Sequence, residues 1–190
     1  MSKLWQAYLG VLQRHPWKTQ ATTTGTLMAA GDVIAQIFIE KKNTANYDTV
    51  RTLRFLGFGT LLAGPVLRTW YMTLDFLFKG TTKTVALKKV FCDQAFFAPS
   101  FLTVFITTMG WLRGDPWSEI QEKVKRDFLP ILMANYQLWI PVQISNFYFV
   151  PFHHRILVVN VVALFWNTYL AWKSERKLTE NKPIANKDTQ

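Results

Sequence analysis

Charged and amide side chains interrupt the long apolar stretches of this 190-residue sequence. Such groups are costly inside a membrane, so they face protein or water and commonly mark the path of an ion or solute. Taken singly, each is better explained by interhelical hydrogen bonds and ion pairs that fix the packing. Taken together they favour a hydrated conduit, because polar stripes recur on at least three predicted helices. We call these positions the polar set: Asp32, Gln36, Arg68, Asp75, Lys89, Asp93, Gln94, Gln143, Asn146, Arg155 and Asn167.

Acid–base catalysis is the other chemistry that these residue types could support. Asp32, Asp75 and Asp93 could form a set of acids and bases, but nothing in the sequence fixes their distances or indicates a substrate. His153 and His154 are adjacent and point to different helical faces, which favours interfacial residues over metal ligands. We therefore expect no enzymatic activity, no cofactor and no bound metal.

The composition indicates a membrane protein in contact with the lipid bilayer. Hydrophobic residues make up 49% of the sequence and charged residues only 18%, below the roughly 25% that soluble domains carry. The net charge is +10, but Lys and Arg gather in short connections. They form no basic face with stacking aromatic residues, so we expect no direct binding of nucleic acid. Cys92 is the only cysteine, which excludes an internal disulfide and a cysteine-based zinc cluster.

The longest apolar stretch covers residues 135–173, whereas about 20 apolar residues already cross a bilayer. Pro151 divides this stretch into two arms, 128–150 and 151–172, each long enough to span. The sequence as a whole predicts an all-α, polytopic transmembrane bundle of four to five kinked membrane helices, preceded by an N-terminal amphipathic helix. We expect one integral membrane domain over residues 1–173 and a polar, disordered tail over 174–190.

Capping and breaking signals place the other helices over residues 17–41, 49–78 and 83–113, with a charged amphipathic segment from residue 117. The predicted N-caps are Asp48 or Thr49, Thr82 or Thr84, and Asp115, the last followed by Pro116 at the first helical position. Kinks are expected at Pro65, Pro99 and Pro141.

Polar and small residues recur at alternating spacings of four and three, which places them on one face of each helix. Small residues on such a face let neighbouring backbones approach closely. Lys89 and Asp93 lie at i and i+4, so we expect an ion pair between them. The predicted stripes are Lys18, Thr22, Gly25, Ala29, Asp32 and Gln36; Arg54, Gly57, Leu61, Gly64, Arg68, Tyr71 and Asp75; and Lys89, Asp93, Phe96, Ser100, Thr103, Thr107 and Gly110.

Short motifs in a fixed order show a resemblance that covers residues 4–173. They are HPWK (15–18), WYMTLD (70–75), GTTK (80–83), DQ followed by FAP (93–99), NFYFVPFHHR (146–155) and WNTYLAWK (166–173). As a set they resemble the Mpv-seventeen and twenty-two-kilodalton peroxisomal membrane protein family, and they are closer to its mitochondrial Mpv-seventeen branch. Residues 1–31 contain Lys and Arg but no acid, which is compatible with import into mitochondria.

The resemblance implies a small multi-helix protein of the mitochondrial inner membrane, usually described with four spanning helices; the peroxisomal membrane is the alternative location. It implies channel-like permeability to ions or small metabolites, a role in membrane-potential and redox homeostasis, and nucleotide supply for mitochondrial DNA maintenance. A homo-oligomer is compatible with these roles. A non-conducting scaffold that stabilises a partner complex is the alternative function.

The positions that match the family pattern overlap with the polar set. Arg68 has no place in that pattern, so its role in a conduit rests on helical spacing alone. The matching positions are Asp32, Asp75, Asp93, Gln94, Pro99, Trp139, Asn146, Pro151, Arg155, Trp166, Asn167 and Trp172.

Overall fold

The computed structural model describes residues 3–80, 82–150 and 154–176, and this part of the chain is helical throughout, apart from its connections. Three helices each contain a π-helical turn, numbered here in chain order. The elements are α1 (Lys3–Arg14), α2 (Pro16–Ile34) with the first π turn (Ala35–Ile39), α3 (Thr49–Phe58), the second π turn (Gly59–Ala63), α4 (Gly64–Leu77), α5 (Lys83–Cys92), the third π turn (Asp93–Phe97), α6 (Ala98–Arg113), α7 (Trp117–Phe149) and α8 (Arg155–Glu175).

Three continuous helical rods are long and apolar enough to cross a membrane: Thr49–Leu77, Lys83–Arg113 and Arg155–Glu175. This confirms an all-α membrane protein. Reaching the predicted four to five spans requires one or both of α2 and α7, which are long enough but less apolar. α2 can carry polar residues because it packs against α1, α3, α4, α8 and the second π turn, so little of it needs to face lipid.

The rods run in alternating directions and give the bundle two ends. At the Arg51 end, the start of α3 meets the end of α8, where Arg51 Nη2 donates to the carbonyl of Ala171 over 3.4 Å. At the Lys83 end, the start of α5 meets the end of α7, where the Lys83 ammonium lies 4.6 Å from the centre of the Tyr148 ring. The α2–α3 and α6–α7 connections therefore lie at the Arg51 end, and the α4–α5 connection lies at the Lys83 end.

Glycines bring α2 against its neighbours at backbone distance. A Cβ added to Gly59 would lie 2.6 Å from the Cα of Gly25, and one added to Gly64 would lie 2.6 Å from the Cα of Ala21. On the other side of α2, a Cβ on Gly31 would lie 2.8 Å from the carbonyl carbon of Asn167 in α8. The small residues of α2 and α3–α4 thus serve close packing as expected, and their partners lie within the chain.

The π turns rotate the predicted stripes out of register. The amides of Glu40, Gly64 and Ala98 donate to the carbonyls of Ala35, Gly59 and Asp93, which are i→i−5 bonds. Each such turn inserts one residue relative to an α-helix, so a spacing of four and three no longer keeps to one face.

The stripes predicted for the rods Thr49–Leu77 and Lys83–Arg113 are therefore wrong. Gly57 has nothing within 4 Å of an added Cβ, and the packing position belongs to Gly59. Leu61 is 81% exposed, although the stripe placed it with the buried Gly64. In the rod Lys83–Arg113, Phe96 is 63% exposed while Asp93 is buried.

The predicted kinks at Pro65 and Pro99 coincide with irregular backbone, since each proline follows a π turn. A wide turn relieves the clash between a proline ring and the preceding turn. Pro141 is different because α7 is continuous from Trp117 to Phe149 and contains both Pro130 and Pro141. The division into two arms is confirmed, since α7 ends at Phe149 and α8 begins at Arg155.

Two of the predicted caps are present and one is wrong. The Asp48 carboxylate accepts from the Arg51 amide over 2.8 Å, and the Thr82 hydroxyl accepts from the Val85 amide over 3.3 Å. The N-cap of α7 is Pro116, without a side-chain cap. Asp115 does not cap because its carboxylate is bound by the Arg113 guanidinium two residues earlier.

Two further expectations concern the α7–α8 connection and the C-terminal tail. Pro151 and His153 lie outside the described residues. So does the tail from residue 177, whereas Ser174 and Glu175 still belong to α8.

Candidate functional site

The structure places four members of the polar set around one cavity. It has a volume of about 200 Å³ and lies between α2, α4, α6, α7, α8 and the third π turn. Its walls combine amide side chains with aromatic rings, and among the described residues that line it only Asp93 carries a charge. The polar lining comprises Gln20, Thr24, Tyr71, Asp93, Gln94, Asn135, Gln143, Asn160 and Asn167.

The Asp93 carboxylate is held in place by neutral donors. Trp70 Nε1 donates to Asp93 Oδ1 over 3.0 Å, and Gln94 Nε2 donates to Asp93 Oδ2 over 2.9 Å. Asn135 Nδ2 in turn donates to Gln94 Oε1 over 2.8 Å, and the Tyr136 hydroxyl donates to the Gln94 carbonyl over 3.1 Å. Within the described ranges no Lys or Arg pairs with Asp93, so the hydrogen-bond partners of its carboxyl group are neutral.

Asp32 and Gln36 lie in a different site, which we call the Asp32 cluster: Asp32, Gln36, Arg51 and Thr52. Arg51 Nε lies 2.5 Å from Asp32 Oδ1, and Asp32 is 0% exposed. Asp32 Oδ2 accepts from the Thr52 hydroxyl over 2.6 Å and from Gln36 Nε2 over 2.8 Å. The carboxylate is thus paired and hydrogen-bonded on both oxygens, which makes the cluster a packing element that closes the Arg51 end.

Arg51 was not among the site residues predicted from the sequence. A short connection joins α2 to α3, so the end of one helix and the start of the next must lie side by side. A buried Asp32 requires a cation or several donors, and Arg51 is a cation near the start of the next helix. The charge requirement and the short connection together could have identified the pair.

Asp75 and Lys89 pair with each other on the surface, with 2.6 Å between Lys89 Nζ and Asp75 Oδ1. The predicted Lys89–Asp93 ion pair is therefore wrong. The α4–α5 connection folds α5 back along α4, which brings Lys89 to Asp75, while Asp93 turns inward with the third π turn. The Asp75 side chain is 72% exposed, so this pair contributes little to stability.

The remaining members of the polar set also lie away from the cavity. The Arg68 guanidinium lies 5.1 Å from the centre of the Trp17 ring, where it links α4 to the start of α2. Asn146 Nδ2 donates to the Arg155 carbonyl over 3.4 Å, and Arg155 Nε donates to the Val150 carbonyl over 3.1 Å. These bonds tie the end of α7 to the start of α8.

A second charged cluster at the Arg51 end was also missed. Lys123 Nζ and Arg113 Nη1 both donate to the Ser174 carbonyl at the end of α8, the latter over 3.1 Å. Cations at this position offset the negative end of the helix dipole. Burial and the nearby Arg113 charge lower the pKa of Lys123 to about 8, while the hydrogen bond from Arg113 lowers the pKa of Asp115. For this region the sequence had predicted only the charged amphipathic segment that begins at residue 117.

The aromatic core borders the cavity, since Phe101 and Phe105 line it. Phe58 and Phe105 pack edge to face with ring centres 5.5 Å apart, and Phe55 packs beside them. The cavity is lined by Gln20, Asn160 and Gln143, which lie toward the Lys83 end of their helices. The described residues contain no group of three His, Cys, Asp or Glu side chains that could hold a metal. The arrangement can accommodate a small cation or a neutral polar solute.

Known proteins resemble this chain over nearly its full length. The mitochondrial inner membrane protein Mpv17 of Danio rerio is 46% identical over 176 residues, covering 93% of this chain and 99% of that protein. The same-named protein of Homo sapiens is 44% identical over 173 residues, covering 91% and 98%. Protein sym-1 of Neurospora crassa is 36% identical over 167 residues, covering 87% and 95%. No solved structure matches the chain.

The helical rods and the polar cavity define an α-helical integral membrane protein. The family model described as Mpv17 / PMP22 matches residues 110–171. The chain belongs to the Mpv17 / PMP22 family, and it is a mitochondrial inner membrane protein. The predictions of family, fold class and location are thereby confirmed.

Proposed function

We propose that this protein is a channel-like conduit for small cations or neutral polar solutes across the mitochondrial inner membrane. The observation that carries the proposal is the cavity of about 200 Å³, walled by amide side chains and the unpaired carboxylate of Asp93. Intramembrane ionisable groups facing a cavity are typical of ion and solute pathways. The proposal involves no catalysis.

The lining also indicates which solutes are disfavoured. An anionic nucleotide would meet the Asp93 carboxylate and find no Lys or Arg among the described residues of the cavity wall. We therefore place the nucleotide supply and the redox and membrane-potential roles downstream of ion or metabolite flux. These wider roles rest on the family resemblance.

The scaffold alternative drew on the small-residue faces and on the many aromatic side chains. Gly25, Gly59 and Gly64 are engaged in contacts within the chain, so these faces are not free to bind a partner. Phe55, Phe58 and Phe105 likewise pack against each other in the core. Both observations favour the conduit.

The test is electrical recording of the purified protein in planar bilayers under a KCl gradient, where the reversal potential reports selectivity. We expect discrete conductance steps with a preference for K⁺ over Cl⁻, and we expect Asp93→Asn to abolish most of that preference. Arg68→Ala is the matched control, because Arg68 lies against Trp17 outside the cavity. Silent bilayers with correctly inserted protein, or selectivity that follows Arg68 and ignores Asp93, would refute the proposal.

A further inference from the structure

A second concave surface lies on the outside of the bundle at the Arg51 end. It is a groove of about 420 Å³ between α3 and α6. We call it the α3–α6 groove, and its lining is almost entirely apolar. The lining residues are Val50, Leu53, Arg54, Gly57, Phe58, Leu61, Leu62, Thr108 and Leu112.

Among the described residues that line the α3–α6 groove, only Arg54 carries a charge, and it has spare hydrogen-bonding capacity. Its Nε and Nη1 atoms are buried and have no hydrogen-bond partner. Its Nη2 atom lies 3.7 Å from Asp48 Oδ2, which is an ion pair beyond hydrogen-bond distance. Buried donors without an acceptor are costly, so an acceptor that reaches Arg54 from the groove would be favoured.

The position of Arg54 relative to the membrane suggests what that acceptor is. Arg54 lies near the start of the rod Thr49–Leu77, which is long and apolar enough to cross the bilayer. Trp111 and Trp117, at the same end of the bundle, are largely exposed, as is typical of residues at the level of the lipid headgroups. From Arg54 the groove continues for two helical turns to Leu61, about 10 Å into the hydrocarbon.

Gly57 keeps the α3–α6 groove open. An added Cβ at this position would meet nothing within 4 Å. An added methyl group would therefore extend into open space without displacing any described residue. Leu53 and Leu61, on either side of it, are exposed and present an apolar wall at membrane depth.

We infer that the α3–α6 groove binds an anionic phospholipid, with the phosphate at Arg54 and one acyl chain along Gly57 toward Leu61. Arginine is well suited to phosphate oxygens, and basic residues between membrane helices are a known means of holding anionic headgroups. The apolar groove beyond Arg54 matches an acyl chain and distinguishes this ligand from a free phosphate ion. The inference is independent of conduction through the cavity.

The experiment follows thermal unfolding of the detergent-purified protein during titration with dioleoyl-phosphatidylglycerol or dioleoyl-phosphatidylcholine, which share the same acyl chains. A ligand of the folded state raises Tm as it saturates. We expect phosphatidylglycerol to bind at least tenfold more tightly than phosphatidylcholine, and Arg54→Gln to bring the two lipids to equal affinity. Gly57→Leu should weaken both lipids by a similar factor.

Matched controls are available in the same chain. Lys88→Gln removes an exposed surface cation away from the groove, and Gly10→Leu fills a position in α1 where an added Cβ also meets nothing. Both should leave the lipid preference unchanged. Equal affinity of the wild type for the two lipids, or a preference that survives Arg54→Gln, overturns the inference.

Two further outcomes would also count against a lipid site. A Tm increase of the same size with inorganic phosphate alone would indicate an anion site without a lipid. An unaltered response of Gly57→Leu would show that the acyl chain does not occupy the groove. Gly57→Leu also keeps the test valid if Arg54→Gln proves too unstable to purify.

Discussion

Asp32 and Asp93 are both buried in the bundle, and each is hydrogen-bonded to a glutamine, yet their surroundings are opposite. Asp32 is 0% exposed and is neutralised by Arg51 at 2.5 Å. Asp93 is 9% exposed and accepts hydrogen bonds from the neutral groups of Trp70 and Gln94 beside a cavity. The two aspartates therefore share burial and residue type. They differ in whether a described cation pairs with the carboxylate.

The difference has a physical consequence for each site. A buried ion pair holds two helices in one arrangement, and removal of one partner leaves an uncompensated charge. A carboxylate with only neutral donors keeps its attraction for a mobile cation, at the cost of contributing less to the fold. The bundle thus has an ion-paired cluster at the Arg51 end and a cavity whose carboxyl group has no described cationic partner.

The largest effect should come from Asp32→Asn, which leaves Glu40 as the one ion-pair partner of the buried Arg51 guanidinium among the described residues. We expect a loss of about 3–5 kcal/mol in the free energy of unfolding. Denaturant unfolding in detergent, followed by circular dichroism, measures it. Asp75→Asn is the control and should cost no more than about 1 kcal/mol, because the Asp75–Lys89 pair is exposed. Equal losses of unfolding free energy for the two variants would show that the buried Asp32–Arg51 pair contributes no more to stability than the exposed Asp75–Lys89 pair.

The next largest effect concerns the glycine contact that positions α3, and with it Arg51, against α2. Gly59→Ala places a Cβ 2.6 Å from the Cα of Gly25, so the two backbones must separate. We expect a loss of about 1–3 kcal/mol, as for overpacked cores. Gly57→Ala, two residues earlier, meets nothing and should be neutral or stabilising by about 0.5–1 kcal/mol. The same unfolding assay compares them, and the reverse order would mean that the second π turn does not set the packing face.

This pair of glycines also shows what the sequence could and could not predict. Local chemistry predicted the lengths of the apolar helices and two of their N-caps, Asp48 and Thr82. Whether Gly57 or Gly59 packs against α2 depends on the second π turn, and no residue pattern in the sequence predicts such a turn. Spacing rules assume 3.6 residues per turn throughout, so the stripes predicted across the second and third π turns do not keep to one face.

The candidate site was predictable to a similar extent. Asp93 and Gln94 were identified because a carboxylate and an amide are costly inside an apolar membrane helix and commonly mark a functional site there. Their neighbours Asn135 and Asn160 come from other helices, and only the tertiary fold brings them to the cavity. Arg51 and Lys123 were missed because charges near helix ends are ordinarily solvated, whereas here the end of α8 covers them.

A smaller effect should appear in the pH dependence of stability at the Arg51 end. Burial lowers the pKa of Lys123 from 10.5 to about 8. Between these values the unfolded chain binds a proton that the folded chain has released, so stability rises with pH through this window, by at most about 1.4 kcal/mol per pH unit. Below about pH 8 both states are protonated and the slope vanishes. Unfolding free energies at pH 8 and pH 10 measure the rise.

Lys123→Met is the control for that measurement, because it removes the titrating group and keeps an unbranched side chain of similar length. Other lysines and tyrosines titrate in the same window, so the informative quantity is the difference in slope between the wild type and the variant. An identical slope in the two proteins would show that Lys123 is not deprotonated early.

The smallest effect on stability is expected for Asp93→Asn, and this is the sharpest test of the comparison. Asparagine keeps the shape of the side chain and an acceptor oxygen for Trp70 or Gln94, and no described cation loses a partner. We expect a change of less than about 1 kcal/mol, measured in the same assay as Asp32→Asn. A loss comparable to that of Asp32→Asn would mean that Asp93 serves packing after all. A small loss, together with altered K⁺ selectivity in the bilayer, would mean that Asp32 stabilises the fold and that Asp93 sets the selectivity of the cavity.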